Sequence, residues 1–166
     1  MMPMDLHVTI RTVRKQDNHK LAEIIRTTLA EFEANKPGTV FFEYSTDHLS
    51  DVFKKERSQY FVVSLDGDIV GGAGVYPSPG LPSDTCELVK MYLLPRARSK
   101  GIGHDLLNRC IRFALDAGFS KLYLETMPEL KLAIRLYEKF GFKRLPSPLG
   151  NTGHTGCDIW MIRDIP

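Results

Sequence analysis

Apolar and polar residues recur along the first part of the chain at spacings that predict a strand followed by helices. Residues 6–10 alternate between the two types, which is typical of a half-buried strand. After Asp17, apolar residues recur three and four positions apart, so we predict a helix that Asp17 caps and that Pro37-Gly38 ends. A second, shorter helix is predicted to begin near Ser45.

The middle of the chain carries the pattern of a β-hairpin. Residues 60–65 and 69–76 are two strand-like runs, and the sequence Asp-Gly-Asp separates them. An Asp-Gly pair between hydrophobic runs predicts a type I′ turn, in which both central residues need a positive φ. Glycines at residues 71–74 predict a bulge or a close backbone approach in the second strand. A third strand is predicted over residues 85–94.

The second half of the chain alternates between helix and strand patterns. We predict a helix over residues 101–117, a strand over 121–126, a helix over 129–140 and closing strands over 142–145 and 157–163. Gly118 and Gly141 each follow a predicted helix, where glycine favours the left-handed terminal cap, and Phe142 can supply its apolar contact. The chain is therefore predicted to be a mixed α/β (α+β) protein.

Length and composition predict one globular domain over residues 6–165. Of the 166 residues 43% are hydrophobic, and no apolar run approaches the roughly 18 residues of a membrane span. The formal net charge of +2 does not argue for a nucleic-acid partner. The first residues do not resemble a signal peptide, so we expect a cytoplasmic protein. Cys86, Cys110 and Cys157 lack metal-ligand spacing, so we expect buried thiols and no metal.

The most informative segment runs from Pro95 to Gly103, where a strand ends, a basic turn follows and a helix starts at two glycines. Helix N-termini present unpaired backbone N–H groups and a partial positive charge, which favour an anion. Arg96, Arg98 and Lys100 add positive charge that phosphates can use. The alternative is a tight turn whose basic residues are merely solvated.

Two known kinds of phosphate-binding turn match this segment poorly. A P-loop is excluded because no Gly-Lys-Ser/Thr follows the glycines. A dinucleotide-binding turn gains some support from Glu125 at the end of the next predicted strand, but Leu106 occupies the place of its third glycine. The region before the turn is also rich in hairpins rather than built from repeated βαβ units.

Two motifs, one in this turn and one in the last predicted helix, carry a resemblance to a known family. Residues 98–103 read Arg-Ser-Lys-Gly-Ile-Gly, and residues 133–142 read Ala-Ile-Arg-Leu-Tyr-Glu-Lys-Phe-Gly-Phe. In both, the chain resembles the GCN5-related N-acetyltransferases (the GNAT superfamily), whose patterns are Gln/Arg-x-x-Gly-x-Gly/Ala and Ala-x-x-Leu-Tyr-x-x-x-Gly-Phe. The resemblance implies a mostly antiparallel sheet of about seven strands with about four helices. It also implies acetyl-CoA binding and transfer of the acetyl group to an amine.

The resemblance further implies which residues contact acetyl-CoA. The strand before the turn is expected to separate from strand 121–126, so that its free backbone N–H groups bind pantetheine and polarise the thioester. Leu130 departs from the family pattern, because many relatives have an asparagine at this CoA contact. The implied cofactor-binding residues are Met91, Leu93, Arg98, Ser99, Lys100, Gly101, Ile102, Gly103, Ala133 and Tyr137.

Two catalytic roles follow from the resemblance. Tyr137 is the candidate acid that protonates the departing thiolate, because a phenol stays protonated at neutral pH. It shares a helical face with apolar residues, so the alternative is a core tyrosine. Glu87, in the strand before the turn, is the candidate base that deprotonates the amine. Its alternative is an exposed strand residue that pairs with Lys90.

The acceptor site is expected after the first helix and in the last long loop, where Glu43, Tyr44 and His154 are the candidate substrate-binding residues. His154 could titrate near neutral pH and assist as a base, or it could be a surface histidine. The expected acceptor is the amine of a small molecule or of an amino acid, with no nucleic-acid or membrane partner, and homodimer formation is left open. The alternative functions are a catalytically silent CoA-binding sensor and a dinucleotide-binding module.

Overall fold

The computed structural model describes residues 6–166. The strands are β1 (Val8–Thr12), β2 (Gln59–Leu65), β3 (Asp68–Tyr76), β4 (Thr85–Leu93), β5 (Lys121–Thr126), β6 (Lys143–Leu145) and β7 (Ile159–Asp164). The helices are α1 (Asn18–Glu31), α2 (Leu49–Val52), α3 (Ile102–Asp116) and α4 (Lys131–Lys139). No helix within the described residues has the length and apolar character to cross a membrane.

One mixed sheet joins the seven strands in the order β1-β2-β3-β4-β5-β7-β6. Every neighbouring pair is antiparallel except β4 and β5, which are parallel. The predicted fold class, a mostly antiparallel sheet of about seven strands with about four helices, is therefore confirmed. A dinucleotide-binding fold needs several parallel strands, so the single parallel pair makes that alternative wrong.

Helices cover both faces of the sheet. Successive side chains of β2 point to opposite faces, so this strand contributes to the buried cluster on each side. Phe61 faces α3, where Leu106 belongs to the same buried cluster. Tyr60 faces the opposite side, where Leu21 and Ile25 of α1 belong to a second buried cluster. The sheet is thus buried on both sides, and its binding surfaces lie at strand ends and edges.

The predicted hairpin is confirmed in its turn and in its irregularity. Asp66 and Gly67 have φ values of 51° and 88°, as a type I′ turn requires. The pairing register of β3 shifts against both β2 and β4 in the glycine-rich stretch. A Cβ atom on Gly72 would lie 2.6 Å from the ring of Tyr60, so the close approach needs glycine there.

Several predicted helix and strand ends are wrong near the N-terminus. The helix α1 ends at Glu31, well before Pro37-Gly38, because Glu33 adopts a left-handed conformation with φ 56°. Asp17 makes no capping hydrogen bond to α1, since its carboxylate binds the guanidinium of Arg11 at 2.7 Å and 2.9 Å. The first strand lies two residues later than predicted, and the second helix is a short α2 that follows a separate 3-10 turn.

The glycine caps of α3 and α4 are confirmed. Gly118 and Gly141 are left-handed, with φ values of 89° and 84°. After Gly141, the N–H of Phe142 donates to the carbonyl of Tyr137 at 3.1 Å, as in a Schellman motif. The two rings also meet edge to face, with centroids 5.8 Å apart. This cap therefore fixes the end of the helix that carries Tyr137.

The separation of β4 from β5 is the feature of the sheet that creates a site. The two strands pair only from Thr85–Lys121 to Glu87–Tyr123, whereas β4 continues to Leu93 and β5 to Thr126. A bulge in β4 places Lys90 in a left-handed conformation with φ 52°. Bulges bend the strand that contains them, which accounts for the direction in which β4 leaves β5.

Candidate active site

A cavity of about 420 Å³ opens where β4 and β5 separate. Besides these strands, α1, the start of α3 and one face of α4 form its wall. The predicted cofactor residues that line it are Met91, Leu93, Arg98, Ser99, Gly101, Gly103, Ala133 and Tyr137. Lys100 and Ile102 do not line it, because Lys100 is exposed outside the wall and Ile102 is 2% exposed in the core.

The turn before α3 presents backbone N–H groups to one end of this cavity. The first backbone hydrogen bond at the helix start runs from the N–H of Asp105 to the carbonyl of Gly101, at 3.1 Å. The N–H groups of the residues between them therefore have no acceptor within the helix. Ser99 and Gly101 are left-handed, with φ values of 60° and 78°, and such alternation turns N–H groups toward one point. The turn thus has the chemistry of an anion site.

Both arginines of the turn are already paired with other residues, so neither leaves its charge unpaired at this site. The guanidinium of Arg98 donates from Nε to the carbonyl of Leu93 at 3.0 Å and binds the carboxylate of Glu31 at 2.6 Å and 3.0 Å. Arg96 pairs with Asp68. Lys100 forms no ion pair with any residue of 6–166, so it remains able to approach an anion. Arg98 therefore fastens the turn to α1 and β4, which its sequence position alone does not reveal.

A buried hydroxyl supplies an independent sign that a polar ligand enters the cavity. Thr28 of α1 lines the cavity and is 4% exposed, and its Oγ1 has no hydrogen-bond partner among the described residues. A buried hydroxyl without a partner costs free energy, which a ligand with an amide or hydroxyl group would recover. Thr28 lies on the apolar face of α1, so the sequence pattern does not distinguish it from a core residue.

Tyr137 belongs to the core and to the cavity wall at once. It is 6% exposed, packs against Phe142 and lines the cavity. Burial raises the pKa of its phenol above the ordinary value of 10.0, so the hydroxyl stays protonated at neutral pH. The phenol can therefore donate a proton, but it cannot act as a base near pH 7.

At the other end of the cavity, three glutamates surround one histidine. His154 Nε2 lies 2.8 Å from Glu43 Oε1, and His154 Nδ1 lies 3.4 Å from Glu87 Oε2 and 3.2 Å from Glu125 Oε1. Lys90 Nζ lies 3.2 Å from the second oxygen of Glu43. We call these five residues the His154 cluster.

The His154 cluster corrects three expectations from the sequence. Glu87 is 1% exposed and accepts from the hydroxyl of Ser78, so it is neither exposed nor paired with Lys90. The side chain of His154 is only 11% exposed, which excludes a surface histidine. Tyr44 does not join the cluster, since it is 79% exposed and stacks on the ring of His48.

Glu125 belongs to the His154 cluster although no sequence pattern indicated that it would. It lies in β5 beyond the last pair with β4, and its carboxylate accepts from the hydroxyls of Tyr123 and Thr152. It also lines both the large cavity and a small adjoining one of about 40 Å³. Its position depends on the separation of two strands that are distant in sequence, so no local pattern predicts it.

The charges of the cluster stabilise one another. Burial lowers the pKa of His154, but hydrogen bonds to the three glutamates outweigh that effect and raise it to about 12. Burial raises the pKa of Glu43, but His154 and Lys90 lower it to about 2. The pKa of Glu125 is also lowered, because its hydrogen bonds outweigh burial. His154 is thus an imidazolium at neutral pH and cannot serve there as the base.

The same side chains include a donor set that metal ions use. Glu87, Glu125 and His154 each offer one ligand atom, and the three atoms lie within 4.8 Å of one another. A metal ion needs the lone pair of neutral imidazole, however, and the imidazolium of His154 has none to offer. Metal binding would therefore have to displace the proton that the three glutamates stabilise on His154.

Replacing His154 by glutamine is expected to destabilise the fold more at pH 6 than at pH 9. The pKa of His154 is about 12 in the fold against 6.5 for a free histidine. The imidazolium therefore stabilises the fold fully below pH 6.5, and this contribution is lost as the pH rises toward 12. Urea unfolding of both proteins at the two pH values measures the effect. An equal loss of unfolding free energy at both would contradict a buried imidazolium.

Comparisons with known proteins agree with the fold and the two motifs. The Acetyltransferase (GNAT) family matches residues 19–142. The uncharacterized N-acetyltransferase YjgM of Escherichia coli (strain K12) is 40% identical over 158 residues, which cover 94% of each chain. These matches span most of the described sheet and both ends of the cavity.

Two solved structures share the fold at low sequence identity. A GNAT-family acetyltransferase from Staphylococcus aureus Mu50 superposes with a TM-score of 0.81 at 20% identity, over 96% of this chain and 100% of that chain. The PaiA N-acetyltransferase from Thermoplasma acidophilum, solved with coenzyme A, has a TM-score of 0.75 at 18% identity, over 95% and 99%. These two structures agree in fold, and the family match and the similarity to YjgM show that the chain belongs to the GNAT family of acetyltransferases and is an acyltransferase enzyme.

Proposed function

We propose that the protein is an acetyl-CoA-dependent N-acetyltransferase that acetylates the amine of a small molecule by direct attack in a ternary complex. Residues 6–165 form the single GNAT domain that does so. The observation that carries this proposal is the cavity between β4 and β5. It runs from the free N–H groups at the start of α3, which suit a diphosphate, to Glu125 of the His154 cluster, which suits an amine.

The chain offers acetyl-CoA three kinds of contact. The backbone N–H groups of Gly103 and His104, which line the cavity, bind the diphosphate, and the exposed ammonium of Lys100 approaches it from outside the wall. The edge of β4 around Met91, which β5 leaves unpaired, binds the pantetheine arm as an added strand would bind. The hydroxyl of Thr28 then gains the hydrogen-bond partner that it lacks within residues 6–166. Acetyl-CoA supplies the acetyl group as an activated thioester.

The glutamates of the His154 cluster accept the proton that the amine must lose. An amine attacks only with its lone pair free, and most amines are protonated at neutral pH. Glu125 lines both cavities and Glu87 lines the smaller one, so both lie beside the place where an acceptor nitrogen would enter. The first proton passes to this pair, directly or through one water, because the predicted base Glu87 and its neighbour Glu125 share the single Nδ1 of His154.

Tyr137 and the β4 backbone complete the reaction. N–H groups near Met91 stabilise the negative charge that develops on the carbonyl oxygen as the C–N bond forms. When the C–S bond breaks, the electron pair stays on sulfur, and Tyr137 donates a proton to the thiolate. The second proton that the nitrogen loses restores the phenol. The products are an acetylated amine and free CoA thiol, with no covalent enzyme intermediate.

The test of this function is the release of CoA thiol from acetyl-CoA in the presence of a panel of small amines. Thiol release that depends on an added amine, with the acetylated amine identified by mass spectrometry, would support the proposal. Calorimetry of acetyl-CoA with the same protein provides the control for folding and binding. Binding of acetyl-CoA without release for any amine would overturn the proposal in favour of a silent CoA-binding sensor.

Arg98→Ala is expected to weaken CoA binding by about three- to tenfold and to lower the free energy of unfolding by about 1–2 kcal/mol. The change removes the ties to Glu31 and Leu93 that hold the turn against α1 and β4. Calorimetry with CoA and urea unfolding measure the two effects. Arg96→Ala is the matched control, because the Arg96 pair with Asp68 is exposed. Equal results for the two variants would contradict an anchoring role for Arg98.

A further inference from the structure

The His154 cluster holds one more negative than positive charge. Among residues 6–166, only the two cations His154 and Lys90 oppose Glu43, Glu87 and Glu125. Ser78, Tyr123 and Thr152 donate hydrogen bonds to the glutamates but carry no charge. Four members of the cluster line the smaller cavity, and within the described chain they are its only charged lining residues: Glu87, Lys90, Glu125 and His154. One further positive charge would therefore neutralise the cluster.

Glu43 engages both cations, one on each oxygen. Its Oε1 lies 2.8 Å from His154 Nε2, and its Oε2 lies 3.2 Å from Lys90 Nζ. Glu87 and Glu125 are left with the single Nδ1 of His154 between them, at 3.4 Å and 3.2 Å. One N–H group cannot fully neutralise two carboxylates. The missing positive charge thus belongs at the Glu87–Glu125 pair.

On the basis of the proposed function, we propose that the acceptor is a cationic amine without a carboxylate next to its amino group. An ammonium group between Glu87 and Glu125 supplies the missing charge and stands where its proton can be taken. An α-amino acid brings its own carboxylate within a few ångströms of the ammonium. That carboxylate would face Glu87 and Glu125, while both nearby cations are already bound to Glu43.

Because the glutamate pair is buried, we expect strong discrimination between amines and α-amino acids. Glu87 is 1% exposed, and the side chains of Glu125 and Lys90 are 3% and 6% exposed. Water screens charges poorly in such a place, so a second carboxylate beside the pair is strongly disfavoured. The free amine pays no such penalty. We expect kcat/KM for an amine to exceed that for the matching α-amino acid by on the order of 100-fold.

The experiment compares acceptors that differ only at the carboxylate. Isoamylamine and leucine, tyramine and tyrosine, and agmatine and arginine form three such pairs, with different side chains. The primary amides of the three amino acids keep the bulk of the carboxylate without its charge. The expected order of kcat/KM is amine and amide well above the amino acid, for whichever side chain the enzyme accepts.

Each outcome of the comparison is decisive. An amino acid acetylated as fast as its amine would overturn the inference and leave the proposed function standing. An amide as slow as the amino acid would overturn it as well, because size would then exclude both. Transfer to none of the nine acceptors, with acetyl-CoA bound, would contradict both this inference and the proposed function. These three results are distinguishable from one another.

A variant tests the assignment to the glutamate pair. Glu125→Gln removes the surplus negative charge. We therefore expect the ratio of kcat/KM for the amine to kcat/KM for the amino acid to fall toward one, even where kcat itself is lowered. Glu129→Gln is the matched control, because Glu129 pairs with Lys36 outside the cluster and its loss should leave the preference unchanged. An unchanged preference in Glu125→Gln would assign the selection to another group and overturn the inference.

Discussion

Tyr137→Phe is expected to lower kcat by on the order of 100-fold while the affinity for acetyl-CoA stays nearly unchanged. The phenol is the protonated hydroxyl in the cavity wall whose helix position matches the family motif, and burial keeps its pKa above the ordinary value. Without it, the thiolate must leave unprotonated or wait for a proton from water. Steady-state kinetics with an accepted amine and calorimetry with acetyl-CoA separate the two effects.

The alternative, that Tyr137 is only a core residue, makes the opposite prediction. Phenylalanine keeps the ring and its contact with Phe142, so a core role predicts an unchanged kcat. Phe142→Leu is the matched control, because it disturbs the same contact and leaves the hydroxyl in place. We expect this control to lower the melting temperature with little change in kcat. Equal kcat in Tyr137→Phe and the unchanged protein would remove Tyr137 from the mechanism.

Local patterns predicted those parts of the fold that neighbouring residues decide. The hairpin turn at Asp66 and Gly67 depends on two φ angles that these residues adopt readily. The caps at Gly118 and Gly141 depend on one left-handed residue each. The end of α1 was wrong for the converse reason. A left-handed Glu33 ends the helix there, although glutamate has no local preference for that conformation.

The site was only half predictable because its two ends have different origins. The turn before α3 is one continuous segment, so its glycines and basic residues are visible in the sequence. The His154 cluster brings together side chains from β4, β5 and two loops, and the separation of β4 from β5 places them. Glu43, Glu87 and His154 were found through the resemblance, whereas Glu125 needed the geometry. Arg98 shows the same limit, since its distant partner Glu31 decides its role.

Gly101→Asp is expected to weaken CoA binding by on the order of 100-fold. The new carboxylate would stand at the N-terminus of α3, beside the N–H groups that we assign to the diphosphate. A Cβ atom at this position has no atom of the described chain within 4 Å, so we expect no steric clash. The effect comes from like charges at close range, which cost several kcal/mol at an interface. Calorimetry with CoA measures it.

The Gly101→Asn variant separates the effect of the new charge from the effect of placing a side chain on a left-handed residue. Residue 101 has φ 78°, and asparagine and aspartate tolerate this left-handed conformation about equally. We therefore expect the asparagine variant to bind CoA close to normally, and the gap between the two variants to narrow in 1 M salt. Acetyl-pantetheine, which lacks the diphosphate, should react equally well with both. If both variants bound CoA equally at low salt, the diphosphate would lie elsewhere, and the orientation of acetyl-CoA toward Tyr137 and Glu125 would have to be abandoned with it.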